Sequence, residues 1–442
     1  MYLLYSLALC AYLLAHLPVV GYQAVRQRKP VGRLRDRVGR LPAGVNPGRR
    51  RSIWIHAVSV GEVLAARSLV AQLRDAYPRH RLLMSTTTAT GQLVARQSGR
   101  ALDAVFYAPL DLARFVARAL DRVAPDMLVL IDTEIWPNLL RACRRRGVKT
   151  ILVNGRLSDR SYRRYRLVRP FMRRVLDGLD RLCVQNGAWS RRFRDLGVPP
   201  ARLTVTGSLK FDAVDDAAAG APAGDPTLRC FEFAAGRPVI IAASTLRGEE
   251  EPVLRGFAAA RRSAAGAVLI IAPRHPERFA EAGRLASARG FAVARRTELE
   301  AAAAPSADVV ILDTIGELAR LFRLATVVFV GGSLVPAGGH NPIEPAAFGK
   351  AIVFGPHMEN FAEIAGLFVA RGAAWQLGSQ DELDGALEAL LSDAEHRAAL
   401  GAAARAVVDD QRGARRRTLA VMAELLRPDA APRDARAADN PC

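Results

Sequence analysis

Past residue 50, short continuous apolar runs alternate with longer stretches in which apolar residues recur every three or four positions. In the first half the runs are Ile53–His56, Arg81–Thr86, Ala104–Tyr107, Met127–Ile131, Thr150–Asn154, Arg181–Gln185 and Leu203–Thr206. Several are apolar on both faces, as a strand buried inside a parallel sheet must be. Between them lie helical patterns such as Gly61–Asp75, where Val63, Ala66, Val70 and Leu73 share one face. A second series follows: Val239–Ala243, Ala267–Ala272, Phe291–Ala294, Val309–Asp313, Val327–Val330 and Ala351–Phe354. The alternation predicts an α/β protein with helices on both faces of each sheet, and places ligands at the carboxyl ends of the strands.

The pattern also sets domain limits. Asp212–Asp225 (DAVDDAAAGAPAGD) is small, acidic and without a periodic apolar face, so residues 212–236 read as a linker. An α/β domain over 51–211 precedes it and a second over 237–427 follows; 428–442 has no core-forming pattern and reads as a disordered tail. At the other end, Tyr2–Val25 carries no charged side chain and barely reaches the length needed to cross a bilayer. Arg26, Arg28, Lys29, Arg33, Arg35, Arg37 and Arg40 follow it, within a basic segment over 26–50. That order predicts a membrane anchor over 1–25 with the rest of the chain on the cytoplasmic side. His16 and Pro18 break the run, so docking at the membrane interface stands beside a true span.

Charge sharpens this picture. Of the 442 residues, 63 are basic and 43 acidic, and only Lys29, Lys149, Lys210 and Lys350 are lysines. A net charge of +20 favours anionic partners. Aromatic residues make up only 6% and interleave with arginine in no nucleic-acid motif, which argues against a nucleic-acid partner. Cys10, Cys143, Cys183, Cys230 and Cys442 form no CxxC pair, against a disulfide framework or a zinc site. The chain has no GxxxxGK[ST], no GxGxxG after a strand and no HExxH.

Four constellations carry candidate chemistry. In Ile53–Glu62 (IWIHAVSVGE) a strand turns into a helix, and Glu62 sits in its first turn. The helix dipole would hold that carboxylate ionised for work as a general base, and a plain capping glutamate fits the same pattern. In IDTEIWPN, Asp132 and Glu134 end an apolar strand; with no third ligand, a metal-free reading is preferred over a metal-binding DxD. In TGSLKFD, the scarce lysine Lys210 ends the first domain, where an ammonium group neutralises a phosphate or carboxylate or is simply solvated. In the second half, Pro273 and Arg274 open PRHPER, Gly316, Glu317 and Leu318 turn after a strand, and Asn341, Pro342, Ile343 and Glu344 follow the Gly338–Gly339 pair. Arg274 suits a bidentate phosphate contact, glycines let a ligand approach, and Asn341–Pro342 starts a helix. Together they predict a nucleotide site.

The strings SVGE, TEIWPN, NGRLSDRS, TGSLKFD, APRHPER, GELARL, FVGGS and GGHNPIEPAAFGKAIVFGPHMENF resemble, in order, those of the bacterial Kdo (3-deoxy-D-manno-octulosonic acid) transferases. The resemblance implies a GT-B glycosyltransferase, with two Rossmann-like domains facing a central cleft and an N-terminal anchor helix. It implies CMP-Kdo as donor, lipid IVA as acceptor, no cofactor or metal, and a place at the cytoplasmic face of the inner membrane in lipopolysaccharide assembly. It also implies Glu62 as proton acceptor, Glu134 and Lys210 as transition-state stabilisers, and CMP contacts from Pro273, Arg274, Gly316, Glu317, Leu318, Asn341, Pro342, Ile343 and Glu344. Two rivals remain: a transferase using a UDP-sugar and a polyprenyl-linked acceptor, and a non-catalytic nucleotide- or lipid-binding membrane protein.

Overall fold

The protein is described by a computed structural model covering residues 1–26, 33–212, 225–299 and 307–426. It divides into two compact units, Met1–Ala213 with Arg412–Cys442, and Val214–Gln411. The expected tail at 428–442 and residues 213–224 of the expected linker lie outside the described residues.

The first unit is built on a seven-stranded sheet in the order β3-β2-β1-β4-β5-β6-β7. Its strands are β1 (Ser52–His56), β2 (Arg81–Thr86), β3 (Ala104–Tyr107), β4 (Met127–Ile131), β5 (Lys149–Gly155), β6 (Arg181–Val184) and β7 (Leu203–Val205). All pair in parallel, with Ile53 between Leu82 and Met127. β1 and β4 are buried at every residue, which is why Ile53–Ile55 and Met127–Ile131 read as unbroken apolar runs. Chain direction across the sheet reverses between β1 and β4, where open α/β sheets leave a crevice at their carboxyl ends.

The second unit repeats the plan in the order β10-β11-β9-β8-β12-β13-β14. Its strands are β8 (Val239–Thr245), β9 (Val268–Pro273), β10 (Val293–Arg295), β11 (Val309–Ile311), β12 (Val327–Val330), β13 (Ala351–Phe354) and β14 (Trp375–Gln376). Here the reversal falls between β8 and β12. The two-residue edge strand β14 has no sequence pattern of its own and escapes prediction.

The helices that position the site are α1 (Tyr2–Arg26), α2 (Val60–Ala76), α3 (Pro137–Arg145), α4 (Arg169–Leu176), α5 (Glu250–Ala260), α6 (Ala394–Gln411) and α7 (Ala414–Leu425). α7 corrects the expected domain limits. It belongs to the first unit, where Ala414, Val421 and Met422 join Ile53, Ile55 and Leu69 in one core cluster. The buried Asp212 carboxylate, expected to open a linker, accepts from the Gly413 and Arg415 N–H groups at the start of α7. Residues 225–236 are likewise no linker: Pro226–Arg229 makes a helical turn and Phe231 is buried in the second unit.

Of the basic segment, Arg28 and Lys29 lie outside the described residues, and Arg37 differs from expectation. Asp36 is buried and accepts from the Tyr107 N–H, while Arg37 donates to the Thr87 carbonyl and stacks on the Tyr107 ring at 5.1 Å. Arg37 is therefore part of the fold rather than of a headgroup-facing run. α1 forms as expected, but no helix among the described residues is long and apolar enough to cross a membrane. Its first two turns are bonded to the first unit: Tyr5 Oη donates to Asp111 at 3.0 Å and Asn138 Nδ2 donates to Ser6 Oγ at 3.0 Å. Turns held in this way cannot lie across a bilayer from the unit that holds them. The outer face stays bare, with Leu3, Leu4, Leu7, Tyr12 and Leu14 all exposed.

Met422 is wholly buried under the first sheet, so Met422→Ala is expected to destabilise that unit by about 2–5 kcal/mol. A urea titration followed by the fluorescence of Trp54, Trp136 and Trp189, all in this unit, reads the shift.

Candidate active site

Each candidate carboxylate of the first unit lies just past the carboxyl end of β1 or β4, on either side of the reversal. Glu62 stands in the first turn of α2, and its carboxylate folds back to accept from the Val58 N–H at 2.6 Å and the Ser59 hydroxyl at 3.0 Å. Both partners precede the first helical residue, so this is not the plain helix cap that the sequence also allowed. Burial nevertheless lifts its carboxyl to about 7, against the Val58 hydrogen bond, with the nearby Glu134 and Asp132 charges adding to the rise. The expectation that the helix dipole keeps Glu62 fully ionised is thus corrected: desolvation and two neighbouring carboxylates outweigh it. Glu134 is also shifted upward, chiefly by burial, while a 2.9 Å hydrogen bond from Trp136 Nε1 favours its ionised form.

Two residues that sequence reasoning passed over hold this cluster together. Asp132 and Asn154 both adopt the left-handed region at φ 60°, which Asp and Asn tolerate better than most side chains. Asn154 donates to the Asp132 carboxylate and accepts, 3.0 Å away, the N–H of Leu209. Asn154 therefore ties the Glu134 loop to the short helix Leu209–Asp212 that carries Lys210, and that helix packs against α2. Arg156 reaches the second Asp132 oxygen at 3.3 Å. Asp132 and Glu134 are held by different partners, and no group of three or more metal-ligating side chains forms among the described residues.

The other passed-over residue is His56, wholly buried at the end of β1. Its Nδ1 lies 2.8 Å from Ser85 Oγ, which accepts from Trp54 Nε1 at 2.7 Å. Burial pushes the imidazole down to about 4, so it is neutral at pH 7. Its ring packs edge-to-face on Trp136 at 4.7 Å, and so backs the indole that holds Glu134. A His or Asn that closes an apolar run inside its strand, as His56 follows Ile53–Ile55 and Asn154 follows Ile151–Val153, is the signal that could have found both residues.

In the second unit, the loops after β9 and β12 meet. The Arg274 charge acts on both His340 and Glu344, lowering the carboxyl of Glu344 against the stronger effect of its burial. Asn341 Oδ1 accepts from the Ile343 N–H at 3.1 Å and its Nδ2 donates to Glu344 at 3.0 Å. The expected cap is present, one residue further along: the helix is the five-residue Ile343–Ala347, with Pro342 in the flanking position. Pro273 ends β9 and is buried, and Arg274 is exposed beside it. Gly316 turns at φ 93°, and Leu318 begins a four-residue helix. The Glu317 carboxylate is taken by Arg296, at 2.9 Å, and by the Thr314 hydroxyl at 2.7 Å.

The glycines answer to the protein's own chain. A Cβ at Gly331 would lie 2.6 Å from the Ser244 carbonyl oxygen, and one at Gly339 would meet Met358. What fills the backbone N–H groups at the β8–β12 reversal is Glu249, another residue sequence reasoning missed. Its wholly buried carboxylate accepts from Gly332 N at 2.6 Å, Ser333 N and Leu334 N, both at 2.9 Å, and Leu246 N at 2.8 Å. Its neighbour Glu250, buried in the first turn of α5, pairs with Arg278 at 2.9 Å. That pair pins the PRHPER turn and so sets where Arg274 stands.

Two doubly wound parallel units, with the candidate residues of each gathered at strand ends, make up the GT-B fold. A solved glycosyltransferase from Rickettsia africae shares the fold, with a TM-score of 0.53 at 12% identity over 86% of this chain and 100% of that one. Residues 32–213 match the family described as 3-deoxy-D-manno-octulosonic-acid transferase (kdotransferase). The 3-deoxy-D-manno-octulosonic acid transferase of Haemophilus influenzae is 34% identical over 92% of this chain and 94% of its own length. That of Bordetella pertussis is 38% identical over 88% and 91%. The chain belongs to the Kdo transferase family, and it is a glycosyltransferase.

Removing one partner of a buried ion pair leaves an uncompensated charge. Arg278→Met is therefore expected to destabilise the second unit by about 3–5 kcal/mol, read by chemical denaturation with Trp375 fluorescence.

Proposed function

We propose that this protein transfers Kdo from CMP-Kdo to the lipid A precursor lipid IVA, at the cytoplasmic face of the inner membrane in lipopolysaccharide assembly. The observation that carries the reading is Glu62: a carboxylate at the reversal point of the first sheet, raised to about 7 beside two further carboxylates. A base poised near the working pH is what transfer to an alcohol requires. Glu62 takes the proton of the acceptor hydroxyl as its oxygen bonds to the anomeric carbon. The bond to the CMP phosphate oxygen breaks in the same displacement, so the anomeric centre inverts. Glu134 and Lys210 stabilise the transition state, in which positive charge develops on the sugar and negative charge on the departing phosphate. No metal or other cofactor takes part.

The loops around Arg274, Gly316–Leu318 and Asn341–Glu344 supply the CMP site in this reading. Arg274 meets the phosphate, and Glu344, held by Asn341, accepts from ribose hydroxyls. Family membership supports Kdo as the transferred sugar. Attachment to the membrane surface is supported by the bare leucines of α1 and the net charge of +20. In this reading α1 lies in the interface by its outer face.

The test is a transfer assay in detergent micelles with lipid IVA and CMP-Kdo generated in situ, read by mass spectrometry. Product mass should rise by whole Kdo units, their number giving how many are added; CMP binding without any mass shift would sink the substrate assignment. Glu62→Gln should cut kcat by about 10²–10⁴ while CMP binding is kept. Because the Glu62 carboxyl sits near 7, the base is protonated below that value: kcat/KM should climb with pH up to about 7 and then level. A rate unchanged down to pH 5 would remove Glu62 from the role.

A further inference from the structure

The surface beside the amino terminus of α1 gathers positive charge that nothing in the fold consumes. Arg141, Arg144 and Arg145 occupy the last turns of α3, and Arg174 the last turn of α4. With Tyr2 and Asp177 they line a pocket of about 500 Å³. The Arg141 guanidinium lies 4.5 Å over the Tyr2 ring, so the first turn of α1 forms one wall. Arg144 donates to the Asp177 carbonyl at 3.4 Å and Arg174 approaches the Met1 sulfur at 3.5 Å.

Among the described residues none of these four guanidinium groups reaches a carboxylate. Asp177 pairs instead with Arg202, at 3.7 Å, whereas Arg146, just past the end of α3, does find Asp121 at 3.0 Å. The carboxyl ends of two helices contribute roughly half a negative charge each, which leaves most of four positive charges unbalanced. A pocket in that condition calls for an anion.

The neighbouring surface says which kind. The pocket is walled by the same helix whose outer face exposes Leu3 and Leu4, 72% and 69% accessible, together with Leu7 and Leu14. A soluble anion has no use for such a face, whereas a phosphate carried on acyl chains uses both. We propose that this arginine pocket binds the phosphate of an anionic membrane lipid headgroup while the outer leucines of α1 enter the acyl boundary. The site would act as a latch that fixes how α1 lies on the membrane, and it rests on the interfacial docking proposed above.

The test is flotation of the full chain with phosphatidylcholine vesicles, with and without phosphatidylglycerol and without any acceptor. Arg144→Gln/Arg145→Gln/Arg174→Gln should weaken binding to the anionic vesicles about 100-fold, at about fivefold per arginine. The dispersed set Arg50→Gln/Arg96→Gln/Arg122→Gln, with the same change in charge, should weaken it about threefold or less. The Arg145 side chain makes no hydrogen bond or ion pair among the described residues, so Arg145→Gln keeps the test valid if the triple variant misfolds; it should show the fivefold step alone. Equal weakening in both triple variants, or none in the pocket variant, overturns the proposal. So does calorimetric binding of inorganic phosphate to the lipid-free protein that the pocket variant loses, because the pocket would then be a site for soluble phosphate. Leu3→Gln/Leu7→Gln/Leu14→Gln separates the two readings. If it leaves vesicle binding intact, interfacial docking itself fails; if it abolishes binding while the arginine variants match wild type, only the pocket assignment fails.

Discussion

A strand buried on both faces has no room for a charged side chain along its length and admits a polar one only where it finds a partner, as His56 and Ser85 do, and the placement of the candidate residues follows from that. β1, β4, β9 and β12 are sealed by helices above and below, so their first chance to present a charge is at the carboxyl end. Glu62, Glu134, Arg274 and Asn341 all lie in segments that follow such ends. The reversal of strand order then opens a gap where neighbouring loops diverge, between β1 and β4 in one sheet and β8 and β12 in the other.

Loops at such a gap must still be held to fractions of an ångström to do chemistry, and the protein does this with buried polar groups whose partners are backbone N–H groups. Asn154 joins the turn after β4 to the Lys210 segment, and Glu249 gathers three consecutive N–H groups after β12. The Glu250–Arg278 pair locks the turn after β9. Each of these groups is costly to bury alone and inexpensive when satisfied, which makes the loops stiff. The same burial raises Glu62 toward neutrality, so the device that positions the carboxylate also tunes it.

Arginine is used in two ways. Where a carboxylate is within reach it serves the fold, as Arg278, Arg296 and Arg255 do with Glu250, Glu317 and Asp384. Around the start of α1 it reaches no carboxylate among the described residues and stands beside exposed leucines, the combination on which the proposed lipid latch rests.

The strands were legible from sequence almost residue for residue: β2, β3, β4, β12 and β13 match their apolar runs at both ends, because a run sealed on both faces has only one way to be buried. The fold class and the residues at strand ends followed from the same pattern, and the motif strings carried the family. Only the tertiary structure could assign α7 to the first unit, since an amphipathic helix shows that it needs a core and not which one. Only it could show that the first turns of α1 are bonded to Asp111 and Asn138, because a bond between residues more than a hundred positions apart leaves no periodic trace. The protonation of Glu62 belongs here too: the local sequence specifies a helix dipole, but desolvation and the charges of Glu134 and Asp132 exist only once β1 and β4 lie side by side.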